Sequence, residues 1–187
     1  MPLVRTLGVL AELQAQGALT DYAVTGAVAA LFYVEPFQTR DVDVMVSVAH
    51  LDPLPGGLVG TASLDAALAA RGYVERVAEG VMVEGWPVQF LPAASALDEA
   101  SLRAAEPVLL APGSDIHVKV AAPEYLIAKA LSVGRLKDLS RVELLLDEAD
   151  VDRTRLRAVI EAHGLGDDWR AFCLKSGRSD DLMREPS

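Results

Sequence analysis

The stretch YAVTGAVAALFYVEPFQTRDVDVMVSV, Tyr22 to Val48, decides how the rest of the chain is read. It opens on a short apolar run, Tyr22-Ala23-Val24-Thr25, which breaks at Gly26. Ala27 to Val34 is rich in small residues and compatible with a helix, and a loop containing Pro36 follows. The stretch closes on Asp41-Val42-Asp43-Val44-Met45-Val46, whose alternation predicts a strand. Residues i and i+2 of a strand share a face, which puts Asp41 and Asp43 side by side, roughly 7 Å apart at the backbone. Val42, Val44 and Val46 take the opposite face, and Met45 and Ser47 share the aspartate face. Two like charges on one face repel and make poor core packing, whereas a divalent cation between them makes the pair favourable. The competing reading of the two aspartates is an exposed edge strand, solvated on its polar face. That of Gly26 is a plain strand-to-helix turn.

A glycine turn, a short helix and then Asp-x-Asp on the next strand resembles the signature of the nucleotidyltransferase superfamily, the fold of DNA polymerase beta and of aminoglycoside-modifying nucleotidyltransferases. A second match lies downstream, in Pro123-Glu124-Tyr125-Leu126-Ile127-Ala128-Lys129-Ala130-Leu131 and Gly134-Arg135-Leu136-Lys137-Asp138. This block resembles the abortive-infection and toxin-type branch, and together the two cover Leu19 to about Gly164. The resemblance implies transfer of a nucleoside monophosphate from an NTP to an acceptor, a tRNA or a protein, with Mg²⁺ as cofactor and an antitoxin as a partner. It implies Asp41 and Asp43 as metal ligands, Gly26 and Ala27 beside the triphosphate, and Lys129, Arg135 and Asp138 as further site residues. Such chemistry needs the triphosphate charge neutralised and the attacking oxygen activated, tasks that carboxylate-bridged divalent ions perform. Gly26 would let backbone approach the phosphates, and amides at the start of the following helix would receive their charge.

Two positions depart from that pattern. Ala27 stands where glycine or serine is usual, which removes a hydroxyl and keeps the amide. The third carboxylate is expected on a later strand; in Trp86-Pro87-Val88-Gln89-Phe90-Leu91 its place is held by Gln89. An amide neither neutralises a cation nor takes a proton. Glu84 and Asp115 are the candidate substitutes. The rival reading is therefore a catalytically silent protein of this fold that binds nucleotide or a partner protein.

Lys129 lies in an otherwise apolar run, sharing a helical stripe with Tyr125 and Val133, so that it points inward to an anion or snorkels from the surface. Asp138 either approaches Lys129 or the metal, or pairs with Arg135 or Arg141. Arg135 and Lys137 read as a solvated face, with substrate binding as the other possibility. The three histidines, His50, His117 and His163, have no metal-ligand spacing. Neither a Gly-Lys-Ser phosphate loop nor a nucleophile elbow is present. Cys173 reads as a small buried hydrophobe.

A chain of 187 residues with 51% hydrophobic and 24% charged residues can bury one sizeable core, with room for a small helical extension. Its net charge of −10 repels nucleic acid over most of the surface, so an RNA substrate would need a local basic patch. Lys129, Arg135, Lys137 and Arg141 are the candidates, with Arg153, Arg155 and Arg157 beyond. The single cysteine excludes an internal disulfide and fits a reducing cytoplasm. No apolar run approaches membrane-spanning length, and Glu12 and the lack of a small-residue cleavage site argue against a secretion signal at the N-terminus, so neither a signal nor a membrane partner is expected.

The periodicity predicts helices over 2–16, 27–34, 64–71, 95–105, 123–133, 135–148, 152–163 and 167–175, and strands over 20–25, 40–48, 73–77, 81–83, 86–91, 107–110 and 116–120. A Pro- and Gly-rich loop separates strand 40–48 from the third helix, and Glu84-Gly85 signals a hairpin. The expected fold is α+β: a small mixed sheet flanked by helices, the nucleotidyltransferase core, over 1–121. A C-terminal helical region over 122–177 and a loose polar tail over 178–187 would follow.

Overall fold

The computed structural model describes residues 2–111 and 113–183, which form an α+β fold of two compact units. The first comprises Met1–Val28 and Gln38–Ala121, the second Ala29–Phe37 and Ala122–Ser187. Residues 29–37, which the sequence groups with the core, thus belong to the second unit.

The first unit is built on a mixed sheet of seven strands in the order β5-β6-β7-β2-β1-β9-β8. In chain order these are β1 (Tyr22–Thr25), β2 (Val42–Val46), β5 (Arg76–Val77), β6 (Gly80–Val83), β7 (Trp86–Pro92), β8 (Glu106–Leu109) and β9 (His117–Val120). At its centre β1 runs antiparallel to β2, while β2 pairs in parallel with β7 and β1 with β9. One set of alternate residues is almost wholly apolar: Val24, Val42, Val44, Val88, Val118 and Val120 are fully buried. Helix α1 (Pro2–Ala15) contributes Leu7, Leu10 and Leu13 to this core, as their helical spacing predicts. The other face is closed at one end by α4 (Ala96–Arg103), where Leu102 packs with Ala23, Met45 and Ala93. Helix α4 starts on a capping box, with Ser95 and Asp98 each accepting the other's backbone N–H. Glu84 and Gly85 both take positive φ, 50° and 88°, and form the two-residue turn joining β6 to β7.

The segment expected to be a plain loop holds a two-stranded ladder, β3 (Asp52–Pro53) with β4 (Val59–Gly60). Each strand is two residues long, too short to show any periodicity. Asp52 reaches onward to the first turn of α3 (Ala62–Ala69), accepting the Ser63 N–H at 2.7 Å and the Ser63 hydroxyl. These bonds favour the carboxylate, the hydroxyl most, and hold Asp52 below its ordinary pKa. A depressed carboxyl pKa stabilises the fold above the unfolded value, about 3.9, and that contribution is lost as pH falls through the lower folded value. An NMR titration of the Asp52 side chain is therefore expected to show a midpoint below that of an ordinary aspartate. Ser63→Ala should move the midpoint back up; an unchanged midpoint would count against the bond.

The second unit contains α5 (Pro123–Val133), α6 (Leu136–Glu148), α7 (Arg153–Ala162) and α8 (Gly166–Ser176), with α5 packed on the other three. Leu126, Ile127 and Leu131 of α5, Val142 and Leu145 of α6, Leu156 and Ile160 of α7, and Trp169 and Phe172 of α8 are all buried. Gly134 and Gly177, with φ near 68° and 67°, end α5 and α8. Cys173 is buried, and burial pushes its thiol pKa up, as befits a small hydrophobe. The tail is not loose as far as it is described. The Trp169 indole N–H donates to Asp180 at 2.7 Å, Arg178 pairs with Asp147, and Leu182 is buried. A buried indole needs an acceptor, and this polar segment supplies one. Residues 184–187 lie outside the described residues.

Candidate active site

The candidate site lies on the sheet face that carries α4. On this face Ala23 stands opposite Met45, and one step along, Thr25 stands opposite Asp43. Across β2's other edge Asp43 is opposite Gln89 of β7. Three neighbouring strands thus place Thr25, Asp43 and Gln89 in one row, each half-buried. The register follows from the valine set: once those side chains face the core, the alternate residues must face this way.

Gly26 closes the row. It takes φ 64° at the end of β1, a conformation costly for any residue with a Cβ. A Cβ at Gly26 would stand 2.4 Å from Asp43 Oδ2 and 3.3 Å from Asp43 Cβ and Cγ. The Asp43 carboxylate therefore lies directly against bare backbone at the turn. This arrangement brings together the two ends of the Gly26 to Asp43 motif.

Other expectations change. Asp41 lies outside the ladder, exposed, one residue before β2 begins at Val42. Asp41 and Asp43 are therefore not two steps on one paired strand. The helix after Gly26 is α2 (Gly26–Ala30), five residues where eight were expected. Its continuation tightens into i→i+3 bonds, Phe32 N–H to Ala29 and Tyr33 N–H to Ala30, before Pro36. So short a helix has little dipole.

Neither proposed substitute for the third carboxylate is placed for that task. The Glu84 oxygens accept the Tyr73 hydroxyl at 2.8 Å and the Arg5 Nε–H at 2.7 Å. These bonds hold its pKa below the ordinary value. Asp115 sits between β8 and β9, on the opposite side of β1 and β2 from β7. The carboxylate that does reach the row is Glu79, in the β5–β6 turn, whose Oε2 accepts the Gln89 Nε2–H at 2.7 Å. Gly80 permits this approach, because a Cβ there would stand 2.7 Å from the Val88 carbonyl oxygen. Nothing in the spacing of Glu79 marked it; only the strand pairing brings it to Gln89. Among the described residues no group of three or more His, Cys, Asp or Glu side chains is gathered as a metal cage.

The residues of the downstream block divide differently. Lys129 is exposed on α5, the surface alternative rather than the inward one. Asp138 is buried in the first turn of α6, where it accepts Arg135 Nε–H at 2.6 Å and lies 3.5 Å from Arg141 Nη1. Of the two readings of Asp138, this geometry is the ion pair. The basic patch is largely neutralised from within: Arg157 pairs with Glu161, and Arg155 lies 3.8 Å from Glu124 and over the Tyr125 ring. Glu124 is itself a buried carboxylate that the sequence reading passed over. Its Oε1 accepts the Asp152 N–H at 2.9 Å, bracing the start of α7.

No protein-family model and no curated protein matches the sequence. Six chains of solved structure do match the fold. One is an antigenic nucleotidyltransferase-like protein from Paracoccidioides brasiliensis, which aligns at a TM-score of 0.59 and 15% identity over 94% of this chain and 88% of that one. The fold is nucleotidyltransferase-like. A nucleotidyltransferase-like fold also agrees with the mixed sheet and flanking helices expected from the Gly26 and Asp43 motif. Among the described residues no helix is long and apolar enough to cross a membrane.

Proposed function

We propose that the chain is a Mg²⁺-dependent nucleotidyltransferase that moves a nucleoside monophosphate from an NTP to a hydroxyl of a tRNA or protein acceptor. The observation that carries this reading is the Asp43 carboxylate lying against the positive-φ Gly26 turn, in one row with Thr25 and Gln89. Mg²⁺ is commonly bound through one or two carboxylates plus substrate phosphates rather than by an all-protein cage. Asp43, with Asp41 just before it, fits that donor set even though, among the described residues, no third carboxylate joins them. The ion would supply neutralisation of the triphosphate and polarisation at the α-phosphorus.

The chain's own residues then have separable tasks. Asp43 and Asp41 would hold the ion, and Gly26 would give the phosphates access to backbone that any side chain would block. Gln89 flanks Asp43 and is fixed in place by Glu79. The acceptor oxygen bonds to the α-phosphorus as the bond to the β-phosphate breaks, and pyrophosphate leaves with that electron pair. Gln89 cannot take the acceptor's proton, which must leave to solvent or to another base. The toxin-type resemblance would add a partner antitoxin.

The experiment is incubation with each α-labelled NTP and Mg²⁺, with the protein itself, tRNA and lysate proteins offered as acceptors, and Asp43→Ala as control. Label that depends on Mg²⁺ and disappears in Asp43→Ala supports the assignment; label that persists in the variant removes it. The second reading, a silent nucleotide-binding protein, is favoured by Gln89 standing opposite Asp43. It predicts a thermal shift with NTP and Mg²⁺ that Asp43→Ala abolishes, and no label on any acceptor.

A further inference from the structure

A separate feature of the second unit has a chemistry of its own. Phe32, Tyr33, Val34 and Glu35 line an open cavity of about 570 Å³ together with Glu148, the last residue of α6. That volume is in the range of small-ligand sites, about 300–1,000 Å³. The lining residues include two glutamates and two aromatics, and no basic residue is among them. Glu148 stands at the negative end of α6, where the terminal carbonyls already concentrate partial negative charge, and the last turn carries no basic residue. Its neighbour Asp147 is bridged by Arg178. Glu148 Oε2 instead accepts the Glu35 backbone N–H at 2.7 Å, which fixes the aromatic segment against the helix end and places Glu35 at the same cavity.

We propose that this cavity binds an organic cation, an ammonium or guanidinium group carried on an apolar chain. The charge would be met by Glu35, Glu148 and the α6 carbonyl end. Phe32 and Tyr33 would cover the apolar stem and offer π-faces to the cation. An anion would be repelled by every charged group in the lining, and a bare metal ion would make no use of the rings. A polyamine and the basic side chain of a protein both present this chemistry.

The test is an NMR titration of the ¹⁵N-labelled full chain with spermidine, with Nα-acetyl-lysine methylamide and, as the neutral control, with 1,8-octanediol. Saturable shifts of the Phe32 to Glu35 and Glu148 amides are expected with the cations and not with the diol. Glu35→Gln should weaken cation binding about threefold, the effect of one partly screened charge, and added salt should weaken it further. Glu148→Gln keeps an oxygen to accept the Glu35 N–H while removing the charge, and should weaken binding by a similar factor. Tighter binding of spermidine identifies a polyamine as the source, and tighter binding of the lysine derivative a protein side chain. The proposal is overturned if the diol binds as well as the cations. It is also overturned if shifts spread over the acidic surface without saturating at these amides, or if both glutamine variants bind unchanged.

Discussion

Gly26→Ala is expected to lower stability by about 1–3 kcal/mol and to abolish the response to NTP and Mg²⁺. Two causes act together. The residue is held at φ 64°, which costs a Cβ-bearing residue about 1 kcal/mol or more. The new Cβ would also stand 2.4 Å from Asp43 Oδ2, so one of the two must move. The carboxylate is the end of a short, half-buried side chain and gives way more cheaply than the backbone of a central strand. The stability cost is therefore moderate, and the damage falls on the proposed ligand. A displacement of about 1 Å at a catalytic group can cost on the order of a hundredfold in rate, so transfer activity should fall by at least that factor. Thermal denaturation with and without NTP and Mg²⁺, alongside the label-transfer assay, reads both effects. A variant that melts a few degrees lower yet keeps the full nucleotide shift would break the link between the turn and the site.

Asp138→Ala has the opposite signature: a large loss of stability with no effect on nucleotide binding. Asp138 is 4% exposed and sits between Arg135 and Arg141. Removing it leaves Arg141, only 18% exposed in its side chain and already without a hydrogen-bond partner at Nε, with a charge and no carboxylate. Stripping one member from a buried pair costs about 3–5 kcal/mol. The lower end applies here, because Arg135 is largely exposed and recovers its hydration. Urea denaturation should show the midpoint falling at constant slope, while the thermal shift given by NTP and Mg²⁺ keeps its size at temperatures where the variant is folded. Unchanged stability with the nucleotide shift lost would instead return Asp138 to the site.

These two residues show what could be read from the sequence and what could not. Gly26 and Asp43 were legible because strand alternation and a glycine break are local signals. The structure adds only that the two touch. Asp138 has the same local appearance whether it binds metal or arginine, since burial is decided by neighbours on other helices. The helices of the second unit, the hairpin at Glu84-Gly85 and the ends of most strands follow from periodicity and turn chemistry. The β3–β4 ladder does not, being too short to carry a period. Helix α2 looked longer because Leu31 to Val34 are apolar, and a run of apolar residues does not distinguish a helix from a tight turn that buries the same side chains. Glu79 and Glu124 were missed for one reason. Their partners Gln89 and Asp152 are reached through strand pairing and helix packing, which leave no periodic signal in the sequence.

The threading of residues 29–37 limits how the chain can be divided. They leave the sheet after α2, belong to the helical unit, and return to supply β2. A cut at Ala121 would strand Leu31, Phe32, Tyr33 and Phe37 on one fragment and their packing partners on the other. Neither half is a portable module, so the helical unit cannot be transplanted, deleted or expressed alone without leaving a greasy flap behind. During synthesis the same flap must wait, already outside the ribosome, for most of the remaining chain to emerge before it is covered.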